Sequence, residues 1–145
     1  MLLSIKNNYQ PTMLRQHQAN FLQKGILQKA VKTVNGYNIL ITEAELPDAD
    51  SLKKLSFEFN NEIDNLIMIL AADIAGKPQI SIMIAEGLVK SLDLHAGKLI
   101  KELAKEIKGG GGGQPFYATA GGKDIAGLPN VVIKANEIIE GITKQ

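Results

Sequence analysis

Apolar and polar positions along the chain follow two periods, and the switches between them mark out the elements. Leu66–Ala72 is almost unbroken apolar sequence, the pattern of a central strand covered on both faces. After an Ala75-Gly76-Lys77-Pro78 turn, Gln79–Ala85 alternates, with Ile80, Ile82 and Ile84 directed one way and Ser81 and Met83 the other. That alternation predicts a second strand, and proline at its entrance removes no needed ladder donor. Upstream, Asn35-Gly36 is a hairpin signal, because both residues tolerate positive φ. It lies between Val31–Val34 and the alternating run Tyr37–Thr42.

Wider spacings predict helices. From about Thr12 to Val31, Leu14, His17 and Phe21 lie on one line and Leu22, Ile26 and Leu27 widen it, while Gly25 interrupts the regularity. Pro47-Asp48-Ala49-Asp50 resembles a helix start, with Asp50 or Ser51 expected as the cap. Leu52, Leu55 and Phe59 would form its buried line, and Asn60-Asn61 its end. The longest helix is expected over His95–Lys108, with Ala96, Leu99, Ile100, Leu103 and Ile107 on one side. Lys98, Lys101, Lys105 and Lys108 fall on the opposite flank, with Glu102 and Glu106 beside them. A last helical region lies near Val131–Ile142. These elements predict an α/β fold in which a single mixed sheet is flanked by helices. The boundary falls between an N-terminal helical arm, residues 1–32, and a globular part, residues 33–145.

Composition narrows the chemistry. With 145 residues and 45% apolar content the chain is one domain's worth with material for a core. The sequence has no cysteine, which excludes disulfides, thiolate metal sites and cysteine nucleophiles. His17 and His95 are its only histidines and stand far apart, so a histidine cluster for zinc is not available. A net charge of +1 says little about nucleic acid unless lysines group on one face. No apolar run approaches the roughly 20 residues of a membrane span, and Met1–Ile5 is too short for a signal peptide. The expectation is a cytoplasmic protein with no membrane partner.

One stretch stands apart. Lys108–Thr119 reads KGGGGGQPFYAT, and each glycine costs of order 0.5–1 kcal/mol more than alanine to order. A slack linker predicts featureless polar flanks, whereas Pro115, Phe116, Tyr117 and Ala118-Thr119-Ala120-Gly121-Gly122 follow. No Gly-Lys-Ser/Thr follows the run and a helix precedes it, so it is not a P-loop, and the dinucleotide fingerprint fails for the same placement. Two readings stay open on the residues alone: a structural turn, or a backbone surface that meets phosphate or ribose. The lysine flank has its own plain reading, a solvated helix face with Glu–Lys pairs. Lys105, Lys108 and Lys123 nevertheless bracket the glycines, where phosphate contact is reasonable.

The segment AGKLIKELAKEIKGGGGGQPFYATAGGKD, which begins at Ala96, resembles the C-terminal signature of alanyl-tRNA synthetases. VNGYNILITEAEL upstream and the final helix agree in order and spacing, so the likeness covers about Lys29–Glu140. Related domains close several DHH-type phosphoesterases acting on short nucleic acids. The resemblance implies a C-terminal accessory domain that grips the outer corner of tRNA(Ala), assists dimerisation and couples aminoacylation to editing. Its implied partners are tRNA(Ala), a second copy in a homodimer, and catalytic and editing domains of the same polypeptide. ATP and zinc belong to those other domains, and no cofactor, metal or catalytic residue is expected in this segment, which should not form alanyl-adenylate or charge tRNA.

Carried over by position, the glycine motif falls on Gly110, Gly111, Gly112 and Gly113, the proline on Pro115, the alanines on Ala118 and Ala120, and the closing motif on Gly121, Gly122 and Asp124. Many relatives of this kind have arginine where Gln114 stands and an acidic residue where Phe116 stands. Loss of the arginine removes a bidentate phosphate partner, and Phe116 or Tyr117 offers stacking on an exposed base, or core packing, instead. The implied RNA-contact set is Lys98, Lys101, Lys105, Lys108, those four glycines, Gln114, Phe116, Tyr117, Gly121, Gly122 and Lys123. Leu14, Phe21, Leu22 and Ile26 are the implied dimerisation line. Two other readings remain: a substrate-holding domain of a phosphoesterase, for which the Asp-His-His metal ligands are missing and Gln114 replaces the usual histidine, and a pure dimerisation module.

Overall fold

The computed structural model describes residues 24–143. Leu14, Phe21, Leu22 and most of the expected arm helix therefore lie outside the described residues. Residues 24–30 are helical (α1), and Leu27 of this turn is buried while Ile26 is 63% exposed. Next come β1 (Lys32–Val34), β2 (Tyr37–Leu46), α2 (Ala49–Glu62), β3 (Leu66–Ile74) and β4 (Lys77–Ile84). Then follow α3 (Glu86–Ser91), α4 (Ala96–Ala104), a 3-10 turn over Lys105–Ile107, β5 (Gly110–Gly113), β6 (Tyr117–Gly121) and α5 (Leu128–Thr143).

The six strands form one sheet in the order β1-β2-β3-β4-β6-β5. Only β2 and β3 pair in parallel, joined by the α2 crossover, and the other neighbours are antiparallel, so the sheet is mixed. Both β1–β2 and β3–β4 are joined by two-residue turns with positive φ at each residue, Asn35-Gly36 and Ala75-Gly76. This is the turn chemistry that matches strand twist. β3 is covered on both faces, as its apolar run predicts.

The two faces have separate cores. Ile67, Ile69, Ile80 and Ile82 pack under α4 and α5 with Ile100, Leu103, Val131 and Ala135. On the other face Leu40, Met68, Leu70 and Met83 pack under α2 with Leu52, Leu55 and Phe59, and Leu27 of α1 joins them. Lys24 ties α1 to α2 through Glu62 at 2.8 Å and Glu58 at 3.4 Å. The hydrogen bond to Glu62 raises the Lys24 pKa above the usual lysine value, against a smaller opposing effect of burial.

Several local expectations change. The cap of α2 is Asp48, whose carboxylate accepts from the Ser51 amide at 2.8 Å, rather than Asp50 or Ser51. An extended residue three positions before the bonded amide is the geometry that N-capping requires, and Asp48 alone has it. Asn60 and Asn61 lie inside α2, which runs on to Glu62. The helix expected over His95–Lys108 has His95 as its cap, turns 3-10 at Lys105 and stops at Lys108, left-handed with φ 53°. The short helix α3 and the strands β5 and β6 carry no periodic signal long enough to predict them.

Candidate nucleic-acid interface

The glycine run is neither a turn nor a loop: Gly110–Gly113 is the edge strand of the sheet. It pairs with β6 in the register Gly110↔Gly121, Gly111↔Ala120, Gly112↔Thr119 and Gly113↔Ala118. Gln114–Tyr117 closes the hairpin, with the Gln114 amide donating to the Tyr117 carbonyl at 2.8 Å.

Opposed residues of an antiparallel pair share a face, so register divides the glycines into two sets. Gly111 and Gly113 stand on the face of Ala118 and Ala120, which are buried with α4. A Cβ at Gly111 would overlap the Thr119 carbonyl oxygen and come within 2.6 Å of the Ala120 Cβ, and one at Gly113 would lie 2.9 Å from the Ala118 Cβ. Gly109 is closed in the same way by Gly121 and Gly122. Gly110 and Gly112 stand on the opposite face with Thr119 and Gly121, and a Cβ on either would meet nothing within 4 Å. Three of the five glycines, Gly109, Gly111 and Gly113, are thus explained by internal packing, and Gly110 and Gly112 are not.

Helix α4 lies directly on this hairpin. A Cβ at Gly97 would be 2.8 Å from the Gly113 carbonyl oxygen, so glycine is needed at the crossing. The amides of Ala96 and Gly97 donate to the carbonyls of Pro115 (2.8 Å) and Gln114 (3.2 Å), and Nδ1 of His95 accepts from the Lys98 amide at 3.2 Å. These bonds satisfy donors that a helix N-terminus otherwise offers to an anion. The closing Gly-Gly-x-Asp motif serves the fold in a similar way. Gly122 passes against the Ile107 carbonyl, Asp124 caps the next turn through the Ala126 amide at 3.2 Å, and Lys123 and Asp124 donate their amides to the Ile107 carbonyl.

The lysines separate on charge pairing. Lys105 meets Glu102 at 3.4 Å, and Lys134 of α5 lies 3.8 Å from Glu102 and 3.6 Å from Glu106. Exposed Lys98, Lys101, Lys108 and Lys123 have no carboxylate partner among the described residues. Glu102 and Glu106 therefore turn largely toward Lys134 of α5 and leave those four cations to solvent.

The aromatics are half-buried on the α2 face. Tyr117 packs against Phe57 with ring centroids 4.9 Å apart at 57°, and its hydroxyl bonds to Ser81. Ser81 in turn lies 2.8 Å from Ser56, oxygen to oxygen, both fully buried. Burial raises the Tyr117 pKa above the usual phenol value, with the Ser81 bond opposing in part. Phe116 packs against the same core, and its carbonyl accepts from the Ile84 amide at 2.8 Å. Sequence reasoning passed over Phe57, whose only signal is an aromatic one position off the buried line of α2. Among the described residues no three or more His, Asp or Glu side chains gather as a metal site, and no helix is long and apolar enough to cross a membrane.

The order of lysine helix, glycine strand and Ala-x-Ala-Gly-Gly-x-Asp strand within this sheet has counterparts elsewhere. Residues 24–143 match the DHHA1 domain. The chain belongs to the DHHA1 family. Among similar proteins, the alanine–tRNA ligase of Christiangramia forsetii is 45% identical over 117 residues, and that of Cytophaga hutchinsonii 42% over 114 residues. These alignments take in 81% and 79% of this chain but only 13% of each relative's length. The fold of this DHHA1 domain also matches the C-Ala domain of Aquifex aeolicus alanyl-tRNA synthetase, with a TM-score of 0.64 at 23% identity, covering 74% of this chain and 96% of that one.

Proposed function

We propose that this DHHA1 domain is the C-terminal accessory domain of an alanine–tRNA ligase. In this reading it binds the outer corner of tRNA(Ala) in the cytoplasm, assists homodimerisation through the residues 1–32 arm, and helps couple aminoacylation to editing in the other domains of the polypeptide. The observation that carries it is the open set of glycines. Gly110 and Gly112 meet no atom that would exclude a side chain, so packing does not account for them, whereas close approach of a ribose-phosphate backbone does. Unpaired Lys98, Lys101 and Lys108 on the α4 side and Lys123 after β6 give the domain positive charge that draws RNA phosphates toward it. Ile26, exposed on α1, is the described member of the proposed dimer line.

The test is a titration of the protein with labelled tRNA(Ala) at several salt concentrations. Binding whose log–log salt slope is clearly negative is the expected result. Absence of tRNA binding at 50 mM salt, by a protein whose thermal melt shows it folded, would overturn the reading.

A further inference from the structure

Helix α2 covers β4 and touches β6 at Tyr117 but leaves the rest of β6 and β5 uncovered, and the resulting step carries its own charges and rings. Ser56 and Phe57 fix the position of the helix, through Ser81 on β4 and Tyr117 on β6. Beyond that line Thr119, Gly121, Gly110 and Gly112 are exposed on the same face, so the sheet continues uncovered to its edge. With about 100° per residue, Lys53 and Asn60 fall between Ser56 and Phe57 around α2, on the flank that overlooks this floor. Lys77 opposes Ile74, a residue of the α2-side core, and therefore stands on the same face where β4 begins. Helix α2 starts at that end of the sheet too, since it follows β2, whose Leu46 pairs with Ile74.

Lys53 and Lys77 are exposed and have no carboxylate partner among the described residues, although Asp50 stands one helical turn before Lys53. At the other end of the step Phe116 and Phe57 are half-buried aromatic surfaces. Two unneutralised cations, a floor without long side chains and an aromatic end wall complement one kind of occupant: an RNA strand whose phosphates meet the lysines and whose base reaches a ring. The lysines of α4 belong to the other face of the sheet, because α4 packs on the Ile67–Ile82 core.

The geometry points to the step between α2 and the β6–β5 edge as the surface that receives the RNA strand, with Lys53 and Lys77 as phosphate contacts and Phe116 as the stacking surface. This rests on the RNA-binding reading above and adds the face of approach. The experiment measures anisotropy of labelled tRNA(Ala) with the full chain and two double variants, Lys53→Ala with Lys77→Ala, and Lys98→Ala with Lys101→Ala. Losing two phosphate contacts should flatten the salt slope by about 1.4–1.8 units and weaken binding about tenfold or more at 0.1 M salt. That effect is expected of the first pair, with unchanged melting temperature because both side chains are exposed. The second pair, on the other face, should lose less affinity and slope, and a larger loss in the second pair than in the first would overturn this face of approach. Gly112→Val should weaken binding without altering the slope, since it obstructs the floor and removes no charge. Binding by the wild type with undiminished affinity and slope in the first pair would overturn this proposal and leave the RNA-binding reading standing. No binding by the wild type would sink both.

Discussion

Adding one methyl group to neighbouring glycines should move stability in opposite directions. In Gly111→Ala the new Cβ meets the Thr119 carbonyl oxygen, the Ala120 Cα at 2.5 Å and the Ala120 Cβ at 2.6 Å. None of these atoms can rotate away, because each belongs to the partner strand's backbone or is its first side-chain carbon. Overpacking of this kind costs about 1–3 kcal/mol. In Gly112→Ala the new methyl enters open space and narrows the unfolded ensemble, a gain of about 0.4–1 kcal/mol. The two single-methyl variants should therefore differ by roughly 1.4–4 kcal/mol, a separation of order 10 °C in melting temperature for a domain of this size. Thermal melts and urea midpoints of both proteins, in the absence of RNA, measure it. Equal destabilisation by Gly111→Ala and Gly112→Ala would refute the division of the strand into a closed and an open face. The same pair then serves the functional question, because Gly112 variants report on ligand approach without a folding defect, whereas any side chain at Gly111 disturbs the sheet first.

Two further outcomes follow from the packing. Lys24 and Tyr117 both have raised pKa values in the folded protein, Lys24 through Glu62 and Tyr117 through burial. Such groups contribute stability that is fully present below their unfolded values, about 10.4 and 10, and is lost as pH rises through the folded values. Stability should thus fall above about pH 10, and Tyr117→Phe should shrink the fall between pH 9 and 11, as read from urea midpoints; an undiminished fall in that variant would remove Tyr117 from the account. Gly127→Ala should lower stability by about 1–3 kcal/mol, because its Cβ would overlap the Glu106 carbonyl oxygen where the 3-10 turn over Ile125–Gly127 touches the one over Lys105–Ile107, and a melting temperature within 1 °C of wild type would contradict that contact.

Among the described residues, side chains that carry a long enough period let the sequence alone determine the element. The apolar run of β3, the Ile80-Ile82-Ile84 alternation of β4, the Asn35-Gly36 turn and the apolar stripe of α4 each encode their structure locally, because burial on one or two faces repeats every 2 or 3.6 residues. The motif order from the lysine helix to Asp124 was likewise sufficient to suggest the family. A glycine strand has no side chains to carry a period, so β5 is written in no local signal and exists only because β6 pairs with it and α4 lies on it. Tertiary structure alone decided which glycines are closed and which open, since that depends on register with β6. It also decided that Glu102 and Glu106 serve Lys134, that Tyr117 is held by Phe57 and Ser81, and that Lys53 and Lys77 share a face. Each of these joins residues far apart in the chain, and a contact across that distance is set by how the sheet is assembled rather than by the composition of either segment.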